Sequence, residues 1–357
     1  MKAMRDLIQK LESKERLSEE EAYRLYDLDL FTLAKFAHQK RTALHGKKVY
    51  FNINRHINPT NICADTCKFC AFSAHRKNPN PYLMSHEEIL NIVADTQKRG
   101  TKEVHIVSAH NKDTTWQWYL EIFQKIKQNY PQIHIKALTA AEIDFIHRRW
   151  GLSYEEVIEK MLEYGVDSMP GGGAEIFDEE VRKKICHGKV SSENWLKIHK
   201  LWHEKSKQSN ATMLFGHIEE RHHRIDHMLR LRALQDETGG FNAFIPLVWQ
   251  KDNSFLDVKE QLDSEEILKT IAISRLVLDN IKNIKAYWAT MSLNLAMVAQ
   301  EFGANDLDGT IEKESIQSAG GAKSARGTNL QTFIELIKTS NLIPVERDSL
   351  YNELKIY

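Results

Sequence analysis

The sequence lacks an excess of either charge, any long apolar run and any paired set of cysteines. Lys and Arg together number 49, as do Asp and Glu, so the formal net charge is zero. That balance gives no electrostatic footprint for nucleic acid or an anionic membrane. No hydrophobic stretch approaches the roughly 18–20 residues of a membrane span. Residues 1–16 form a charged helical pattern without a signal-peptide core, so a cytoplasmic protein is expected. Four cysteines in 357 residues make no disulfide framework. Low-complexity tracts and Pro/Gly linkers are also missing, and a hydrophobic content of 42% excludes wholesale disorder.

What is present is a repeat. Residues 7–39 read as helical, with Ser18 ahead of Glu19, Glu20 and Glu21 as an N-cap with an acidic first turn, and Gly46 breaks the pattern. Short β-prone runs then alternate with amphipathic segments. Strands are expected at 49–55, 103–109, 134–139, 166–169, 211–215, 243–247, 284–288 and 306–309. Helices are expected at 85–99, 116–128, 153–164, 192–206, 218–238 and 264–278. Eight βα units predict an α/β fold, a (βα)8 TIM-type barrel that is partly open if the weak fourth and eighth strands fail to close it. Residues 1–45 then form an N-terminal helical extension, 46–310 the barrel, and 311–357 a C-terminal extension packing on it.

In such barrels the chemistry gathers at the carboxyl ends of the strands. Unusual residues fall there: three cysteines after the first strand, Ser108-Ala109-His110 after the second, Pro170-Gly171-Gly172-Gly173-Ala174-Glu175 after the fourth, and Gly216-His217 after the fifth. Cys63, Cys67 and Cys70 have C-x3-C-x2-C spacing, close enough for one loop to wrap a soft metal site. Three thiolates on a cubane iron–sulfur cluster leave one iron open to a small molecule. A structural zinc ion would need a fourth ligand, for which His56 and His75 are the candidates. A second zinc reading, a barrel hydrolase, rests on His223 and His227, four apart on a helix; HExxH is absent there, and Arg221 and Arg224 would repel a cation. Cys186 stands alone and reads as a structural thiol.

The loop Cys63-Ala64-Asp65-Thr66-Cys67-Lys68-Phe69-Cys70 resembles that of the radical S-adenosylmethionine superfamily. The stretches Asn54-Arg55-His56-Ile57-Asn58-Pro59-Thr60-Asn61, Met169-Pro170-Gly171-Gly172-Gly173-Ala174-Glu175-Ile176, Phe215-Gly216-His217-Ile218-Glu219 and Leu234-Gln235-Asp236-Glu237-Thr238-Gly239-Gly240-Phe241 are similar to the futalosine branch of menaquinone biosynthesis. Within that branch, Leu247 and Pro344-Val345-Glu346-Arg347-Asp348 favour resemblance to aminofutalosine synthases. The dehypoxanthine futalosine cyclases come second, and deazaflavin-forming enzymes are more distant.

The resemblance implies a [4Fe-4S] cluster on Cys63, Cys67 and Cys70, with Phe69 packed beside it. It also implies S-adenosyl-L-methionine at the open iron, consumed as a substrate. The implied reaction adds the 5′-deoxyadenosyl radical to 3-[(1-carboxyvinyl)oxy]benzoate, with rearrangement and loss of the carboxyl group as bicarbonate. A flavodoxin or ferredoxin is the implied electron donor. Many members carry a Gly-Gly-Glu type segment after strand two; this chain has Val107-Ser108-Ala109-His110-Asn111, where Ser108 would take over the methionine amino group.

Within that frame Gly171, Gly172 and Gly173 permit close backbone approach, and Glu175 offers an acceptor to a ribose hydroxyl or the ammonium. The glycine run equally fits a tight strand-to-helix turn. Substrate carboxylates call for cationic donors, for which Arg55 and His56 are expected, with Lys323 and Arg326 after strand eight. His217 is the expected proton donor or acceptor, set against a plain hydrogen-bonded place in the barrel rim.

Overall fold

Strands form where β-branched and aromatic residues gather, and stop at Asn, Pro and Gly. The computed structural model describes residues 2–74, 80–325 and 327–357. Its strands are β1 (Lys48–Asn52), β2 (Asn54–Ile57), β3 (Glu103–Ile106), β4 (His134–Ala137), β5 (Ser209–Phe215), β6 (Phe241–Val248), β7 (Asn283–Ile284), β8 (Asp306–Gly309), β9 (Ile343–Arg347) and β10 (Glu353–Ile356). Parallel ladders join β2 to β3 and β3 to β4, β5 to β6 and β6 to β7, and β8 to β1. Single parallel bridges carry the ring across the gaps, Lys136 to Ser168, Met169 to Ser209, and Lys285 to Asp306. The barrel is therefore present, thinly joined at its fourth and seventh positions.

Three local readings need correction. The expected first strand is two strands, because at Ile53 the chain leaves β8 and β9 and pairs onward with β3. The expected fourth strand contributes only the bridging residues Ser168 and Met169, cut short by Pro170 and the glycines that follow. The seventh keeps two ladder residues, and Trp288 opens the short helix Trp288–Met291.

The C-terminal segment holds two strands that the pattern of repeats did not reveal. β9 lies parallel to β1, and β10 lies antiparallel to β9 at the sheet edge. Beyond β9, Ser349 donates to Glu103 Oε2 (2.5 Å) and its carbonyl accepts from Asn242 (3.1 Å), so it touches the amino ends of both β3 and β6. This segment closes the floor of the barrel opposite its mouth.

Helices cover the outside. Capping boxes at Ser85/Glu88, Thr139/Glu142 and Ser153/Glu156 start helices His86–Lys98, Ala140–Trp150 and Tyr154–Glu163, each satisfying otherwise orphaned backbone donors. Among the described residues no helix is long and apolar enough to cross a membrane.

The inside of the barrel is charged. With a period of two, Glu103 and His105 share one face of β3, as do Asp306 and Asp308 on β8. His105 and Asp308 line the mouth cavity, which fixes that face as the inner one. Glu103 pairs with Lys136 (2.6 Å), Asp308 with Lys285 (2.7 Å), and Asp306 with Arg347 (2.5 Å). Burial alone would raise the Glu103 carboxyl, but Lys136 outweighs it and holds it well below the usual range.

Behind β5 and β6 lies a set of neutral histidines. Ser209 Oγ sits between His199 Nδ1 (2.8 Å) and His203 Nε2 (2.7 Å), and His227 Nε2 lies 2.9 Å from the Thr212 carbonyl. Burial lowers His203 to about 4 and His227 to about 3, from an ordinary 6.5. The unfolded chain therefore binds protons that the folded one excludes, so this stability is present above pH 6.5 and is lost as the pH falls toward 4. Urea unfolding at pH 6 and pH 5 should show a loss of about 1 kcal/mol for each of these two histidines, and His227→Phe should shrink that loss.

Candidate active site

The mouth of the barrel opens into one cavity of roughly 280 Å³. Its lining includes Cys63, Cys67, Phe69 and Cys70 from the loop after β2, Val107–His110 after β3, and Gly171–Gly173 with Glu175. His56, His105, Asn210, Thr212 and Asp308 come from the strands, Tyr287 from the segment after β7 and Glu314 from that after β8. Segments far apart in sequence thus meet in one place.

The cysteine loop is pinned at several points. Lys68 N donates to Ile185 O (2.7 Å), docking the loop on the end of helix Glu179–Cys186. Ala64 N donates to His110 O (2.9 Å), and His110 N reaches Cys63 Sγ at 3.4 Å. Asp65 lies 2.8 Å from His110 Nδ1, and the His110 ring stacks on Phe145 at 4.8 Å. Burial opposes the Asp65 charge, but the bond to His110 prevails and keeps its carboxyl below the usual range. Cys67 is buried, and Cys63 and Cys70 are half-buried.

Burial pushes the Cys63 and Cys67 thiols up. Such thiols ionise only when a cation takes up the thiolate charge. Three soft donors on one wall of one cavity, with an N–H aimed at one of the sulfurs, fit an iron–sulfur cluster. They do not fit a single ion: among the described residues no three or more His, Cys, Asp or Glu side chains close on one metal position.

The glycine run is required by packing as well as by the cavity. A Cβ on Gly171 would lie 2.6 Å from Asn210 O, and Gly173 has φ +91° with Ala141 Cβ 2.8 Å from where its own would be. Thr212 Oγ1 and Trp195 Nε1 donate to the Gly171 and Gly172 carbonyls. The run therefore packs as a tight turn, and the same three glycines line the cavity.

Ser108 also lines it. Its amide donates to Glu142 Oε1 (2.8 Å) and its hydroxyl accepts from Tyr119 (3.2 Å). Glu142 thus caps its own helix through Thr139 and fixes the loop after β3 with its second oxygen.

Several expected site residues are elsewhere. Arg55 faces away from the cavity because it alternates with His56 on β2, and the charges around it are Glu312, Arg99 and Asp95 on the outer side. His217 is fully buried and does not line the cavity. Its Nδ1 accepts from Ile218 N (2.8 Å), which leaves the proton on Nε2, 3.2 Å from Leu214 O. Both ring nitrogens are engaged and burial lowers its pKa, so it is a turn-holding residue and has no access to a reacting group. The neighbouring Glu219 contact is therefore not an ion pair; Glu219 instead binds Arg224 (2.8 Å) and the amides of Gly216 and His217.

Lys323 is exposed and does not line the cavity. His75 and Arg326 lie outside the described residues. The paired-histidine zinc site fails as well. His227 is buried with its ring stacked on Phe177 at 3.8 Å, and His223 Nδ1 accepts from Glu220 N at the helix start. Cys186 is buried in the last turn of its helix, with its thiol raised to about 11 by burial, and does not line the cavity.

Two site groups had no motif to announce them. Lys189 is a half-buried lysine 2.5 Å from Glu175 and 5.4 Å from the Phe69 ring, tying the cysteine loop to the glycine segment. Burial would lower it, but the Glu175 carboxylate beside it holds it well above the usual lysine value. His105, opposite His56 on β3, is the second. The available signal was strand alternation, which puts His105 on the same face of β3 as Glu103.

Two family models match the chain. Residues 57–231 match the radical SAM superfamily, and residues 238–356 match the CofH/MqnC C-terminal region. The chain is 40% identical to an aminodeoxyfutalosine synthase of Thermus thermophilus, covering 100% of this chain and 99% of that one. It is 37% identical to that of Streptomyces coelicolor, covering 99% and 94%. A 5-amino-6-(D-ribitylamino)uracil–L-tyrosine 4-hydroxyphenyl transferase of Methanopyrus kandleri is 34% identical over 92% of this chain and 91% of its own. Among solved structures, the hydrogenase maturase HydG of Carboxydothermus hydrogenoformans superposes with a TM-score of 0.76 at 18% identity, covering 97% and 80%, a likeness of fold.

Removing the ammonium of Lys189 leaves the Glu175 charge buried and alone. Lys189→Met should destabilise the cluster-free protein by about 3 kcal/mol in urea unfolding, and adding Glu175→Gln should restore most of that loss.

Proposed function

The chain belongs to the radical S-adenosylmethionine superfamily, and on that premise we propose that it is an aminodeoxyfutalosine synthase of menaquinone biosynthesis. The observation that carries the proposal is convergence: the cysteine loop, the Ser108 segment and the glycine segment line one cavity. Identity of 40% to such a synthase runs over the whole of both chains.

In this reading Cys63, Cys67 and Cys70 would hold a [4Fe-4S] cluster. When bound, that cluster supplies the electron that cleaves S-adenosylmethionine to methionine and the 5′-deoxyadenosyl radical, which adds to the enol ether of 3-[(1-carboxyvinyl)oxy]benzoate. The chain's own work is to orient the reactants and keep water and quenchers out. Phe69 shields the cluster side, and Lys189 keeps that loop against the glycine segment. Gly171–Gly173 let the nucleoside approach the backbone, and Glu175, already bonded to Lys189, accepts a further hydrogen bond. Ser108 offers its hydroxyl to the methionine end. The enzyme works in the cytoplasm with a flavodoxin or ferredoxin as reductant.

The test is a product analysis. Anaerobically reconstituted protein given S-adenosylmethionine, dithionite and the enolpyruvyl benzoate should yield a nucleoside adduct that retains adenine, absent in Cys67→Ala. Free 5′-deoxyadenosine without adduct would reject the synthase assignment, and dehypoxanthine futalosine would then be the next substrate to try.

A further inference from the structure

The mechanism above leaves one titratable pair unused. His56 and His105 are direct register partners on β2 and β3, with Nε2 and Nδ1 3.3 Å apart and the rings edge to face at 4.7 Å. Both line the cavity. At that distance they share one proton between two nitrogens.

Their surroundings are charged but balanced. Glu103, Asp306 and Asp308 face Lys136, Arg347 and Lys285 in three ion pairs. Glu314, also at the cavity, accepts from Gln317 N, Ser318 N and the Ser318 hydroxyl. Lys136, Lys285 and Arg347 do not line the cavity; Lys189, which does, is taken by Glu175, and His110 is taken by Asp65. Among the described lining residues no lysine or arginine is left to receive an anion. A carboxylate entering this space needs a new positive charge, and the histidine pair is the place that can create one.

We infer that His56 receives a carboxylate of the substrate, and that the His56–His105 pair takes up one proton from solvent as that anion binds. The ligand class is a small aromatic or enol-ether carboxylate, so the inference rests on the synthase reading for its particular substrate. His56 makes the contact; His105 is a positioning residue that shares the added proton. The empty pair is neutral: burial lowers both rings, and the acids Asp308, Glu314 and Glu103 only partly offset it, with Lys136 opposing them. The bound anion reverses this by stabilising the imidazolium.

The test is titration calorimetry of the cluster-loaded protein with 3-[(1-carboxyvinyl)oxy]benzoate, without S-adenosylmethionine, in buffers of different ionisation enthalpy. At pH 8 we expect close to one proton taken up per ligand bound, and a dissociation constant that weakens up to tenfold per pH unit above it. His105→Gln and His56→Gln should each abolish the uptake, with the cluster absorbance confirming that each variant is folded. Binding with no buffer dependence, or uptake that survives in both variants, would overturn the inference. Proton-linked binding followed by cleavage without adduct would sink the synthase reading and leave the histidine pair standing.

Discussion

Two thiols, one buried and one half-buried, set the terms for the rest of the molecule. Cys63 and Cys67 cannot carry charge where they stand unless a cation takes it up. The structure spends many contacts on holding them there. The loop is tied to helix Glu179–Cys186 through Lys68, to the segment after β3 through Ala64, and to the glycine segment through Lys189 and Glu175. The glycines are in turn packed so tightly against β5 and helix Ala140–Trp150 that side chains there would collide. Cofactor geometry is thereby transmitted from the barrel wall to a loop that has little regular structure of its own.

A second constraint is charge inside the barrel. A polar interior is costly unless each charge is paired, and the barrel meets this with three ion pairs. One member of them, Arg347, belongs to β9, and Ser349 just beyond it bonds to Glu103. The last strands therefore complete the electrostatics of the core, and the barrel without them would leave Asp306 buried beside no arginine. The match of residues 238–356 to a distinct C-terminal family region accords with that role.

The sequence made the barrel legible because its strands are short, its helices amphipathic and its turns marked by Gly, Pro and Asn. The cysteine loop was legible because spacing within one loop survives folding unchanged. Other features were hidden for physical reasons. β9 lacks the βα rhythm and finds its place only by pairing with β1, 295 residues away by the Lys48–Ile343 register. Arg55 and His56 look equivalent as neighbours, yet strand alternation sends one outward and one into the cavity. His217 sits at a strand end like a catalytic residue, but the tight turn at Gly216 folds its ring back onto the chain. Lys189 belongs to no motif and acquires its role from a partner 14 residues earlier.

The most direct measurement of the central claim is electron paramagnetic resonance on the anaerobically reconstituted, reduced protein, with and without S-adenosylmethionine. The account predicts a single reduced [4Fe-4S] signal per chain that shifts when S-adenosylmethionine is added, and that is lost in the Cys63→Ala, Cys67→Ala and Cys70→Ala variants. A signal indifferent to S-adenosylmethionine, or zinc bound in place of iron and sulfide, would contradict it.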